Sequence, residues 1–181
     1  MFRTPTFNDL YYNEMGNKVL NPEIARQFNV GVTWREGFSG IVDEVSLQAD
    51  GYYNKVKDKI VALPTLFVWK MMNLGEVDIL GTDVNIGTAL SFGAGMRMKI
   101  NGSWSCQYAV DVTSPTDKNY RHQIPYTPRN SGSLSVSFLN KWVDVGYLMN
   151  GVGERYSLPQ NTESNRIVGY VEHSVSLGRS L

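Results

Sequence analysis

Apolar and polar residues alternate with a period of two through most of this chain. The pattern is cleanest over Gly95–Val112, GMRMKINGSWSCQYAVDV. Met96, Met98, Ile100, Gly102, Trp104, Cys106, Tyr108, Val110 and Val112 share one parity; Arg97, Lys99, Asn101, Ser103, Ser105, Gln107, Ala109 and Asp111 share the other. A β-strand turns successive side chains to opposite faces, so this run predicts one long strand with an apolar and a polar face. It exceeds the roughly five or six residues usual in soluble proteins. It also covers the ~9–11 tilted residues that a strand needs to cross a bilayer.

The same period marks further strands. The first is about Arg26–Arg35, with Phe28, Val30, Val32 and Trp34 on one face, and the second about Asp43–Lys57, with Val45, Leu47, Ala49, Gly51 and Tyr53. About Glu76–Leu90 follows, where Val77 and Ile79 hold one parity but Leu80, Val84 and Ile86 the other; this change of phase predicts a bulge near Gly81. After Gly95–Val112 come about Ser131–Leu139, Trp142–Tyr156 and Arg166–Gly178. Residues 1–23 carry Pro5, Asn8, Asp9, Gly16 and Pro22 with an aromatic cluster, Phe2, Phe7, Tyr11 and Tyr12. They are expected to form an outer loop leading into the first strand, with a short helical turn at Thr6–Tyr11.

Connections alternate in length. Glu36–Val42, Ser91–Gly93 and Asn140-Lys141 are short, whereas Asp58–Leu74, Thr113–Asn130 and Ser157–Asn165 are long and polar. An up-and-down barrel with tight turns at one end and long loops at the other gives this alternation. The expected fold is all-β: an antiparallel meander of about seven strands, part of a transmembrane β-barrel, with residues 1–181 as one domain. The polar parities, rich in Ser, Asn, Gln and Gly, suit a wet lumen, and the uncharged parity of Met96–Val112 suits lipid. Trp34, Phe92, Trp104, Tyr108, Phe138 and Trp142 are the candidate membrane-interface aromatics, against the plainer reading that aromatic residues simply favour strands.

Composition narrows the function. Lys plus Arg equal Asp plus Glu at 17 each, so no net charge points to nucleic acid. Charged residues make up 19%, below the ~25% of ordinary soluble domains. No stretch of ~18 apolar residues reads as a transmembrane helix. The single Cys106 excludes an internal disulfide and disfavours zinc. The start, MFRTPTFNDLYY, lacks the features of a signal peptide, so the chain reads as cytosolic or as an excerpt of a longer exported protein, and the strand pattern favours the excerpt.

Three stretches resemble the C-terminal part of TonB-dependent outer-membrane receptors. Phe2-Arg-Thr-Pro-Thr-Phe-Asn-Asp-Leu-Tyr-Tyr with Asn21-Pro22-Glu23 is similar to a family loop that leads into a strand. Trp69 through Asn73-Leu74-Gly75, then Gly81-Thr82-Asp83, resembles a later barrel segment, with Asp83 where Glu is usual. Gln123-Ile-Pro-Tyr-Thr-Pro-Arg129 is similar to an outer loop entering a strand. The resemblance implies a barrel of roughly 22 strands plugged by an N-terminal domain. It implies uptake of a scarce nutrient such as an iron chelate or cobalamin, driven by the TonB complex. The sequence lacks the plug, the TonB-contacting segment and the earlier strands, and stops at Gly178-Arg179-Ser180-Leu181 without the family's last strands or terminal aromatic residue. It is therefore expected to supply wall and loops rather than transport alone.

No catalytic set is present at a readable spacing. His122 lies in a long loop and His173 within a strand; neither is expected to bind a metal or act as a base, and no enzyme activity or cofactor is expected. Gly93-Ala-Gly95 and Gly151-Val-Gly153 are not nucleotide fingerprints, since no helix follows. The candidate ligand-binding residues are Tyr120, Arg121, His122, Tyr126, Arg129, Arg155 and Tyr156, which offer stacking area and fixed donors from the long loops. The expected partners are outer-membrane lipid, the nutrient, and the TonB complex through the absent N-terminal part. The open strand edges of the isolated piece are expected to drive self-association. The alternative is a soluble, lipocalin-like ligand-binding barrel, with its apolar parity turned inward.

Overall fold

The computed structural model describes residues 1–179. The expected chain end therefore falls partly outside the described residues, at Ser180 and Leu181. The elements are β1 (Phe2–Arg3), α1 (Phe7–Tyr11), β2 (Glu23–Gly37), β3 (Val42–Pro64), β4 (Trp69–Ser91), β5 (Arg97–Asp111), β6 (Asn130–Leu139), β7 (Asp144–Val152), β8 (Arg155–Tyr156), β9 (Arg166–Ile167) and β10 (Tyr170–Gly178). The main sheet runs β1-β2-β3-β4-β5-β6-β7-β10 with antiparallel neighbours, an up-and-down meander. β8 and β9 pair separately in the connection from β7 to β10.

Register shows why the sequence alternates. Val32, Ala49, Val84, Trp104, Gly132, Gly151 and Val171 are successive partners across seven strands. One residue further along, Thr33, Gln48, Asn85, Ser103, Ser133, Asn150 and Glu172 make an equally continuous polar row. A pleated sheet sends these rows to opposite sides. The polar side is concave, with one hollow lined by Thr33, Gln48, Asn85, Ser103 and Ser133. The apolar side is convex and open: Val32 is 67% exposed, Trp104 47% and Tyr108 49%. From Met98 to Tyr108 the outward residues of β5 are uncharged. At ~3.3 Å per residue and a ~45° tilt this run spans the ~25 Å apolar band of an outer-membrane barrel.

The sheet departs from the expected boundaries where apolar residues change sides. The predicted bulge near Gly81 is absent: β3 and β4 stay in register from Glu44–Ala89 to Pro64–Trp69, and the one shift lies between Val42 and Glu44. Gly81 serves a different end. It faces Tyr52 across the ladder, and a Cβ there would run into the Tyr52 ring. The phase change arises because Val77 and Ile79 point inward. There, with Val56, Ala109, Ile124, Ala25 and Leu74, they form a small dry core beneath the 112–129 loop. Burial of a valine or isoleucine such as Val56, Val77 or Ile124 contributes about 1.5–3 kcal/mol.

The segment Asp58–Leu74, expected as a long polar loop, is instead mostly ladder. β3 and β4 run on to Pro64 and Trp69 and close through a tight turn, where Thr65 N–H donates to Val68 O at 2.8 Å. The alternation persists there, but Pro64, Trp69 and paired methionines obscure it. The predicted strand Trp142–Tyr156 divides into β7 and β8, and Arg166–Gly178 into β9 and β10, with Val168 and Gly169 between. The expected helical turn is α1: the Thr6 hydroxyl accepts from Asp9 N–H and the Asp9 carboxylate accepts from Thr6 N–H, a reciprocal cap.

Candidate functional site

The long loops share one end of the sheet and brace one another there. On one side the N-terminal loop is tied to the extended β3–β4 hairpin. The β2 ladder stops at Ile24–Lys57, and the Glu23 carboxylate then accepts Ile60 N–H at 2.7 Å while Arg3 pairs with it at 3.0 Å. Asn73 accepts Asn21 N–H and donates to Asn21 O and Asp58 O.

On the other side, the 112–129 loop is anchored by Gln123, which is 2% exposed. Its Oε1 accepts Ala109 N–H at 3.2 Å and its Nε2 donates to Thr127 O at 3.2 Å. Its backbone exchanges hydrogen bonds with the Asn161 side chain of the next loop, at 2.8 and 2.9 Å. Arg121, Tyr126 and Asn161 all hold left-handed φ of 50–62°. Such residues are strained and persist where neighbours fix them. Arg121 N–H donates to Asp111 O, and Tyr126 N–H to Tyr156 O, both at 2.7 Å.

The candidate loop residues fall into separate groups. Tyr120, Arg121 and Arg129 line a hollow on the outward side with Tyr53, Leu80 and Tyr108. The Arg129 guanidinium lies 5.3 Å from the Tyr108 ring and that of Arg121 5.7 Å from Tyr120. His122 meets Pro159 O at 3.2 Å through Nδ1. The Arg155 guanidinium lies over Tyr170, and its buried Nη1 has no hydrogen-bond partner. Tyr156 contributes its carbonyl to Tyr126. Tyr126 itself stands against Trp69, with ring centres 5.1 Å apart and planes tilted by 46°. Trp69 lies beside the turn at the start of β4, so this half-exposed pair joins the extended hairpin to the 112–129 loop at the loop end of the sheet.

Trp69 and the polar row below it were not singled out as site residues by the sequence. The signal was present in the parity of β4, but the apparent loop hid it. Along the concave wall, Tyr52 hydroxyl donates to Gln107 Oε1 at 3.2 Å, Gln48 bonds Asp50 at 2.8 Å, and Ser105 bonds Asp83.

The interface aromatics occupy two levels. Phe92 and Trp142 lie in the short turns, and Trp34 and Phe138 are on the outward parity nearby. Tyr108 is level with Phe28, Tyr53 and Leu80 toward the long loops, and Trp104 lies between the two levels. The next outward row beyond Tyr108 is Arg26, Lys55, Asp78 and Val110. There, beyond the apolar band, Glu76 receives Lys55 and Lys57, each at 3.0 Å. The hydrogen bonds from Lys57 and then Lys55 hold the Glu76 carboxyl below its usual range; the bond to Glu76 raises the Lys55 ammonium. Among the described residues no group of three or more His, Cys, Asp or Glu is placed to hold a metal ion.

Comparison with known proteins agrees with this architecture. The family model for TonB dependent receptor-like β-barrels matches residues 2–179. Vitamin B12 transporter BtuB of Photobacterium profundum is 26% identical over 157 residues, covering 83% of this chain and 23% of its own length. The BtuB of Vibrio vulnificus is 32% identical over 85 residues, 46% of this chain and 13% of its own. The chain thus spans less than a quarter of these curated relatives. Copper transporter OprC superposes with a TM-score of 0.68 at 16% identity, over 97% of this chain and 27% of its own. The ferric yersiniabactin uptake receptor FyuA from Yersinia pestis gives 0.57 at 21% identity, over 88% and 23%. These two likenesses concern the fold.

Proposed function

Since the chain belongs to the TonB-dependent receptor β-barrel family, we propose that it supplies wall and outer loops to an outer-membrane receptor importing a scarce nutrient. The family consists of transporters and receptors rather than enzymes, and it implies a nutrient ligand and the TonB complex as general partners. One observation carries the reading: a continuous polar row lies on the concave side under a layer of long loops, with a continuous apolar row on the convex side. A lipocalin-like soluble barrel would turn the apolar row inward, and is not favoured.

In this reading the loops meet the ligand first, and the polar row offers it a wet path across the membrane. Trp69 and Tyr126 supply ring faces at the entrance of that path. Coupling to the TonB complex is assigned to no residue of this chain. A corrinoid is the first ligand to test, because the curated relatives are named as vitamin B12 transporters; an iron chelate is the second. The test measures equilibrium binding of cyanocobalamin and of a ferric siderophore to the full-length receptor and to Trp69→Ala/Tyr126→Ala. Loss of two aromatic contacts is expected to weaken the cognate ligand roughly ten-fold. Unchanged affinity would remove the aromatic pair from the site, and binding of neither ligand would remove both ligand classes.

A further inference from the structure

We propose that the outward hollow formed by Tyr120, Arg121 and Arg129 binds the phosphate group of an outer-leaflet membrane lipid. The inference rests on reading the convex face as a membrane wall. It concerns the side facing away from the nutrient path.

Height on the wall is the first argument. The row Phe28–Tyr53–Leu80–Tyr108 is the last apolar and aromatic row before the charged row Arg26–Lys55–Asp78–Val110. Lipid phosphates lie at that boundary, where acyl chains end. The hollow straddles it: Leu80 and Tyr108 form a greasy floor on the apolar row, Lys55, Asp78 and Val110 stand on the charged row, and Arg121 and Arg129 line it with them. A free anion would have no use for that floor, whereas the first carbons of a lipid would.

Charge is the second argument. Lys55, Arg121 and Arg129 face the hollow against one carboxylate, Asp78. Lys55 is already engaged by Glu76. Among the described residues neither Arg121 nor Arg129 has a carboxylate partner. Each lies over a tyrosine ring instead. A cation–ring contact leaves guanidinium N–H groups for an oxyanion, which arginine takes in a bidentate fork. Arg121 is also fixed in place, with φ of 62° and its N–H bonded to Asp111 O. The cavity measures about 600 Å³, room for a sugar-phosphate headgroup and more than an inorganic phosphate fills.

The test uses the full-length receptor in detergent, wild type and Arg121→Gln/Arg129→Gln, examined by native mass spectrometry after addition of diphosphoryl lipid A. Parallel samples receive the same lipid stripped of its phosphates, or inorganic phosphate as competitor. Wild type is expected to retain the phosphorylated lipid. The variant is expected to retain it roughly ten-fold less, as does wild type with the stripped lipid. Equal retention by wild type and variant would overturn the proposal, as would displacement of the lipid by inorganic phosphate at the same concentration. A separate arm follows insertion of both proteins into neutral phosphatidylcholine vesicles. Failure of both to insert defeats the membrane-wall reading itself, and insertion without selective retention defeats the lipid site alone.

Discussion

At the scale of single residues, Gln123 does the most for the loop end. It belongs to the stretch Gln123-Ile-Pro-Tyr-Thr-Pro-Arg129, and its side chain substitutes for a strand partner by accepting Ala109 N–H and donating to Thr127 O. Removing it leaves a buried donor and a buried acceptor unpaired. Gln123→Ala is expected to cost about 1–3 kcal/mol locally and to release the 112–129 loop. Hydrogen exchange at Ala109 and Ile124 should accelerate while β6 and β7 stay protected. Unchanged exchange would show that the loop is held by other contacts. The sequence places Gln123 in a motif but does not show it buried, because burial depends on Asn161, thirty-eight residues further on.

At the scale of elements, the β3–β4 hairpin shows how much periodicity reveals. Its apolar parity was plain in the lower part, where one side meets polar groups and the other does not. It failed at Gly81, where the chain gains a second dry environment and both faces carry apolar residues at different heights. Phase alone cannot separate a slipped register from a covered interior; only the 112–129 loop, distant in sequence, decides it. The two faces should also respond differently to charge. Val84→Arg, on the outward row, is expected to lower stability in lipid vesicles by about 2–4 kcal/mol. Its neighbour Asn85→Arg, in the polar row, should cost far less. Urea or guanidinium titration of the vesicle-embedded protein measures both, and equal losses would contradict the assignment of faces.

At the scale of the molecule, strand order and meander topology were legible because each long strand pairs with the next long strand, so no long-range choice had to be made. The grouping of loop residues was not legible: of the sequence neighbours Arg121 and His122, one lines the outward hollow and the other meets Pro159 O of the next loop. β2 and β10 each present one unpaired edge along most of their length. Open edges recruit other strands. The 181-residue chain alone is expected to self-associate in plain buffer and to disperse in detergent, as size-exclusion chromatography with light scattering would show. A stable monomer in buffer would argue against the exposed convex face being lipid-directed.

The hairpin's length has a consequence of its own. Residues 56–64 of β3 continue past the charged row, about 30 Å of strand at ~3.3 Å each. Leu66 and Phe67 crown that mast, each 93% exposed. An approaching molecule meets two bare apolar side chains at this greasy finial. Its footing is the Glu23–Ile60 and Asn21–Asn73 lashings, which moor it to the N-terminal loop.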